Sequence, residues 1–256
     1  KHSYSFWANS EATLIYNGMI APLIPYGLKG FLWYQGESNV TRANQYKESF
    51  SLLIDNWRKD WQNNKLPFYW VQLFSFGPSQ NSNQGSYWAE LREAQDLTLK
   101  VPQTGMAVTI DIGDPVDIHP ANKQEVAHRL AANALKMNYN INKIHISPLY
   151  DKSEFKDHQA IIHFHTPESK LVIKDKYGYL KGFEIAGEDH VFHYAQAELK
   201  ENQVIVSHPS VLKPIAVRYA WSDSPLDANL FNEAGLPVSP FRTDQWPGLS
   251  INNKFD

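Results

Sequence analysis

Two short polar stretches hold the side chains best suited to acid, base or anion-stabilising chemistry. One is Gln35-Gly36-Glu37-Ser38-Asn39; the other, residues 111–120, carries Asp111, Asp114, Asp117 and His119. A carboxylate bonded to one imidazole nitrogen fixes the tautomer of the ring and leaves the other nitrogen to take a proton from a hydroxyl nucleophile. His119 amid three Asp residues supplies half of such a hydrolase. The plainer reading of the same stretch is that Asp111 and Asp114 cap a turn and His119 satisfies backbone groups. A metal is a third reading, since Asp and His are both ligands. No second His stands at H-x-H or H-x-x-x-H spacing from His119, so neither a metal nor a cofactor is expected. The first stretch offers amide donors on a Gly-containing turn, as an oxyanion hole requires. Ser38 lies in G-E-S-N-V, a G-x-S-x-G elbow whose second Gly is Val40. The tight elbow needs small residues on both flanks, which argues against Ser38 as nucleophile.

These stretches need elements that bring them to one edge. Residues 30–34 read as a short apolar strand ending at the first, and residues 106–110 as a strand ending at the second. Between them, Tyr46, Phe50, Leu53, Ile54, Trp57 and Trp61 recur at helical spacing. Residues 67–74 form a buried strand, and residues 87–99 a helix with Ser86 as N-cap. A further helix begins near Asn122, where Asn122 and Glu125 resemble a capping box ahead of Val126, Leu130, Ala134 and Met137. Strands alternating with helices predict a parallel sheet covered on both faces, with ligands outside the carboxyl ends of its strands. After about Ile146 the period changes to two. Residues 160–165, 170–174, 182–186, 191–199, 203–207 and 214–221 read as antiparallel strands, sandwich-like, followed by an irregular tail from Ser222. The expected division is residues 1–146, α/β, and 147–256, β-rich.

The 256 residues carry a net charge of −3 without a basic cluster, which argues against nucleic acid as partner. No apolar run approaches the roughly 20 residues that span a bilayer. Zero Cys removes disulfides, thiolate metal sites and Cys nucleophiles, yet suits the cytosol, the periplasm or the exterior alike. Residues 1–9 lack an apolar signal core, so a leader is expected to be absent or already removed. His163 and His165 share a strand face, read as a solvated surface, and His190 and His193 are read likewise. Trp88, Trp221 and Trp246 could stack on sugar rings or serve as core. Residues 75–86, rich in Ser, Asn, Gln and Gly, are the candidate specificity loop.

With these residues in view, the chain resembles the sialate O-acetylesterases, a branch of the SGNH-type hydrolases. The resemblance rests on Y-N-G-M-I-A-P-L at residues 16–23, G-F-L-W-Y-Q-G-E-S-N at 30–39 and D-I-H-P-A-N-K at 117–123, within a match over 111–123. Further matches are V-R-Y-A-W at 217–221 and a carboxyl-terminal signature across residues 229–244. It implies a flavodoxin-like three-layer α/β/α esterase domain with β-rich additions, cleaving acetyl esters from sugar hydroxyls by a metal-free Ser–His mechanism. It suggests His119 as general base, Asp117 as its orienting acid, and Gln35, Gly36, Glu37 and Asn39 as the oxyanion and acyl-binding region. The family pattern D-x-x-H has Val116 in place of its acid, which leaves Asp114 or a backbone carbonyl as alternatives to Asp117. The family's nucleophile lies in an early G-Q-S-N-like block, and the chain carries none. The expected arrangement is therefore a carboxyl-terminal portion whose Ser is contributed by an amino-terminal portion of the same protein, nearly inactive alone. The expected partner is a small-molecule or glycan substrate, with Arg42, Arg92 or Arg242 as candidates to pair a sialic acid carboxylate. An acetylxylan-type deacetylase and a catalytically incomplete carbohydrate-binding module are the rival readings. The expected location is the periplasm or the exterior.

Overall fold

The computed structural model describes residues 13–166 and 169–254, so the leader expectation falls outside the described residues. Its first half is built on three parallel strands, β1 (Phe31–Trp33), β2 (Phe68–Val71) and β3 (Thr104–Ala107), in the order β1-β2-β3. Strand-to-strand returns in one direction need crossovers, and α1 (Ala43–Asp60) and α2 (Tyr87–Leu97) provide them. The helical spacing of α1 buries Tyr46, Phe50 and Ile54; Phe50 meets Trp70 edge-on at 5.0 Å, and Trp57 meets Phe31 at 5.1 Å. On the opposite face, α3 (Lys123–Met137) lays Val126 and Leu130 against Tyr69, Val71 and Ala107. The sheet is thus a middle layer, as the alternating pattern predicts, and β2 and β3 are buried along their whole length. Both expected caps form. Ser86 Oγ accepts from the Ala89 amide at 2.9 Å, and Asn122 Oδ1 accepts from the Glu125 amide at 3.2 Å.

The second half is antiparallel. Strand β4 (Leu149–Lys156) pairs with β5 (Gln159–His165), while β6 (Leu171–Ile173), β7 (Phe183–Ala186), β8 (His193–Tyr194) and β9 (Gln196–Lys200) follow in sequence. Strands β10 (Gln203–Ser207), β11 (Ala216–Tyr219), β12 (Leu230–Asn232) and β13 (Phe241–Arg242) complete it. Two four-stranded sheets result, β4-β5-β10-β9 and β13-β11-β7-β8, with β12 and β6 paired separately. Phe241 joins the two larger sheets, stacking on Tyr150 at 4.7 Å and meeting Phe164 edge-on at 5.8 Å. The expected run 191–199 is divided into β8 and β9 at Ala195, whose amide turns back to the Phe183 carbonyl at 2.9 Å. The tail is less irregular than its Pro, Asn and Asp content suggests, since β12 and β13 both lie in it. Its last part straps onto the first half: Arg242 holds Glu93 through two bonds of 2.7 and 2.9 Å, and buried Glu90 accepts from the Leu249 and Ser250 amides and the Ser250 hydroxyl. No described helix is long and apolar enough to cross a membrane.

One carboxyl beneath the strap makes stability depend on pH. Burial pushes Asp96 up to about 7, against the hydrogen bond that it accepts from Ser239 at 3.3 Å. A folded-state value above the unfolded one, about 4, means that the folded chain holds the proton more tightly. The contribution of this carboxyl to stability is then fully present below pH 4 and is lost as pH rises to 7. Asp96→Asn should keep the bond to Ser239 and remove this dependence. Its melting temperature, measured by calorimetry at several pH values, should match the parent near pH 4 and exceed it by several °C at pH 7.

Candidate active site

The chain leaves β1 through Tyr34 and turns at Gly36, whose φ of 153° favours glycine and where a Cβ would come within 2.9 Å of Leu91 Cδ2. Residues Glu37–Arg42 then form a 3-10 turn into α1. Gln35 holds the bend together. Its Nε2 donates to Asn39 Oδ1 at 2.6 Å, its Oε1 accepts from the Tyr46 hydroxyl at 3.2 Å, and its carbonyl accepts from Gln95 Nε2 at 3.4 Å. Burial pushes Tyr46 up to about 12, so the phenol remains a donor at neutral pH. Because Asn39 Oδ1 is engaged, its amide nitrogen is the end turned to other partners. Ser38 is exposed, and its carbonyl accepts from Arg42 Nη2 at 3.0 Å.

The loop after β3 is anchored first by Arg129, a buried residue of α3. Its guanidinium forks onto Asp111 at 2.6 and 2.8 Å, and also reaches the Val108 carbonyl at 2.6 Å and Glu125 at 2.9 Å. Burial would lower the Arg129 pKa, but Asp111 and Glu125 outweigh it and raise the group above its ordinary value. Gly113 then presses on the Ser75 backbone so closely that a Cβ would stand 2.4 Å from its carbonyl oxygen. The Gly77 amide donates to the Pro115 carbonyl at 2.9 Å. Asp114 Oδ1 accepts from the Val116 amide at 3.0 Å, and Asp117 Oδ1 from the His119 amide at 2.8 Å. Ile118 packs inward and Pro120 is buried, so His119 between them points out, its side chain 86% exposed. Its Nδ1 stands 3.9 Å from Asp117 Oδ1. Each Asp therefore has a turn or ion-pair task, and Asp117 in addition lies beside the imidazole.

Parallel strands put both loops at one edge of the sheet, β1 and β3 being about 10 Å apart with the β2 loop between them. Lys123, the first residue of α3, bridges toward the first loop with its Nζ 4.9 Å from the centre of the Tyr34 ring. Burial and nearby Glu37 push Tyr34 up to about 12. The candidate cations divide. Arg92 is fully enclosed and donates to the carbonyls of Phe74, Ser222 and Asp223, and Arg242 is forked onto Glu93, so neither faces a ligand at this edge. Arg42 remains beside the first loop. Trp88 and Trp221 are core, and Trp246 stacks on His190 at 3.8 Å. His163 Nε2 lies 3.1 Å from Glu154, while His165 is exposed. Residues 75–86 are fastened rather than loose: Ser82 donates to Glu184, and Asn83 exchanges bonds with the Phe192 backbone. Among the described residues, no group of three or more His, Asp or Glu could hold a metal ion. Sequence reasoning missed Arg129 and Gln95, which position the two loops; the Glu125–Arg129 spacing of four was the available signal for the first.

Comparison with known proteins bears on the same residues. Residues 3–136 match the family model described as carbohydrate esterase, sialic acid-specific acetylesterase. The chain is 30% identical to human sialate O-acetylesterase, over 95% of this chain and 51% of that one. It is also 30% identical to the mouse protein of the same name, over 90% and 47%. A crystal structure described as a novel carbohydrate acetylesterase from Xanthomonas citri superposes with a TM-score of 0.88 at 46% identity, covering 91% of this chain and 54% of that one. The chain spans about half the length of the curated relatives it matches. By the family model, which covers more than half of its residues, the chain belongs to the sialic acid-specific acetylesterase family of carbohydrate esterases.

Proposed function

We propose that this protein takes part in releasing acetate from O-acetylated sialic acids by a Ser–His mechanism, with the nucleophilic Ser on polypeptide outside these 256 residues. The observation that carries the reading is the outward His119 imidazole, 3.9 Å from Asp117 and held between two inward anchors. It shares a sheet edge with the Gln35–Asn39 bend. In this scheme His119 takes the hydroxyl proton and returns it to the departing sugar oxygen. Asp117 stabilises the imidazolium, Asp114 being the alternative, and the Gly36, Glu37 and Asn39 region with Gln35 behind it receives the oxyanion and acyl group. The charge on Asp117 acts more strongly once the ring is protonated. A periplasmic or extracellular location accords with a glycan substrate.

A second reading is deacetylation of another sugar, such as a neutral hemicellulose, by the same residues, since the structure at 46% identity is described as a carbohydrate acetylesterase with no sugar named. Acetate release by the full-length protein from 9-O-acetylated sialic acid and from acetylated xylan should differ at least tenfold in kcat/KM, in favour of the sialate. Equal rates overturn the sialate assignment. This chain alone should show little turnover of p-nitrophenyl acetate; robust activity lost in Ser38→Ala would move the nucleophile to Ser38.

A further inference from the structure

The order β1-β2-β3 leaves β1 on the outside of its sheet, with no strand against its other edge among the described residues. The Phe31 amide donates to the Pro67 carbonyl on the β2 side at 2.9 Å. Peptide groups alternate in direction along a strand, so the N–H and C=O of Leu32 point away from β2, to the open edge. The Leu32 side chain is 66% exposed as well. Beside the same strand, on the face that carries Trp33, an open cleft of about 670 Å³ separates residues 15–20 from the flank of α1. Ile15, Ile20, Trp33, Leu52, Leu53 and Trp57 make its walls mainly apolar, and Leu52 is 59% exposed. The Tyr16 hydroxyl, donating to Asp60 Oδ2 at 2.6 Å, fixes one wall to α1.

An unpaired strand edge next to exposed apolar side chains is a surface that folded proteins cover. Three observations indicate with what. The relatives described above carry about as much chain again as the part that this chain matches. Parallel strands end at one side of a sheet, so a parallel strand added to β1 would end about 5 Å from the Gln35–Asn39 bend, at the edge where the His119 reading needs an alcohol. The cleft, finally, lies on the face where α1 and α2 make the crossovers between the strands present, and the crossover of a further parallel strand packs in that same layer, beside α1. A second copy of the chain, paired edge to edge about a two-fold axis, would run antiparallel and bring no new nucleophile to the bend.

We propose that the open edge of β1 and the apolar cleft beside α1 are the docking surface for the nucleophile-bearing portion of the same protein, which adds a parallel strand at Leu32 and seats apolar side chains between residues 15–20 and α1. The inference rests on the reading that the nucleophilic Ser lies outside these 256 residues. Amide hydrogen exchange, followed by mass spectrometry on peptides that span β1 and β10, compares this chain with the full-length protein. Exchange at Leu32 should be about 100-fold slower in the full-length protein, and exchange in β10, already paired on both sides, should be the same in the two. Leu52→Glu should leave the melting temperature of this chain within about 1 °C of its parent and lower that of the full-length protein by about 3 °C or more. Equal exchange at Leu32 in the two proteins, or a Leu52→Glu variant that melts like its parent in both, overturns the surface, and acetate release by the full-length protein then judges the His119 reading alone. Protection of Leu32 in a full-length protein that releases no acetate upholds the surface and overturns the ester reading. Protection of Leu32 already in this chain overturns the proposal, and sedimentation at twice the chain mass would then assign the edge to a second copy.

Discussion

His119→Ala is expected to lower kcat for acetate release by the full-length protein about 10³-fold, with the melting temperature within about 1 °C of the parent. The two readouts separate because of where the ring sits. With 86% of its side chain exposed and no packing of its own, the imidazole contributes little to the fold, while Ile118 and Pro120 keep the backbone in place without it. Asp117→Asn tests the neighbour more finely. An amide oxygen still accepts the His119 N–H at the turn, so only the charge beside the imidazole is removed, and a loss of about 10-fold to 100-fold in kcat is expected with KM unchanged. If Asp117→Asn is silent and Asp114→Asn is not, the orienting acid is Asp114. Full activity of His119→Ala, measured by acetate release under saturating substrate, would remove the general base from the scheme altogether.

Much of this edge was legible because local rules and the tertiary structure agree there. The run before Asp111 is a strand for the same reason that it is a sequence signal: β3, like β2, is buried along its whole length between helices, while the run before Gln35 is β1, an edge strand that turns Phe31 and Trp33 to the core and leaves Leu32 exposed. The caps at Ser86 and Asn122 need only neighbouring backbone, so spacing suffices to find them. What escaped depends on partners far along the chain. Strand β4 carries Asp151, Lys152, Glu154 and Lys156 on an exposed edge, so its residues lack the apolar alternation of a half-buried strand; its pairing is dictated by β5 across the turn at Asp157. Strands β12 and β13 are three and two residues long and exist through ladders to β6 and β11. Arg92 and Arg242 look like ligand cations in sequence because nothing local reveals that Phe74, Ser222, Asp223 and Glu93 surround them. The three Asp residues before His119 are alike in sequence and differ in structure, one forked onto Arg129 and two closing turns.

That division gives Asp111 the largest expected effect on stability. The Arg129 side chain is 5% exposed and its guanidinium is satisfied chiefly by Asp111, with the Val108 carbonyl and Glu125 taking the remaining bonds. Asp111→Ala leaves a buried cation with Glu125 alone as counter-charge, and breaking a buried pair from one side costs about 3 kcal/mol or more. For a chain of this size that corresponds to a fall of about 9 °C in melting temperature. The consequence should reach the loop that carries His119, since Asp111 is its first fixed point and Gly113 and Pro115 the next two. The companion variant decides whether the pair is itself favourable. Asp111→Ala combined with Arg129→Met removes both charges and fills the space of the guanidinium stem, so the double variant should melt above the single one, the desolvation penalty having gone with the pair. A double variant no more stable than Asp111→Ala would instead assign the loss to the bonds that Arg129 makes to Val108 and Glu125, and the anchor of the loop would lie in α3 rather than in Asp111.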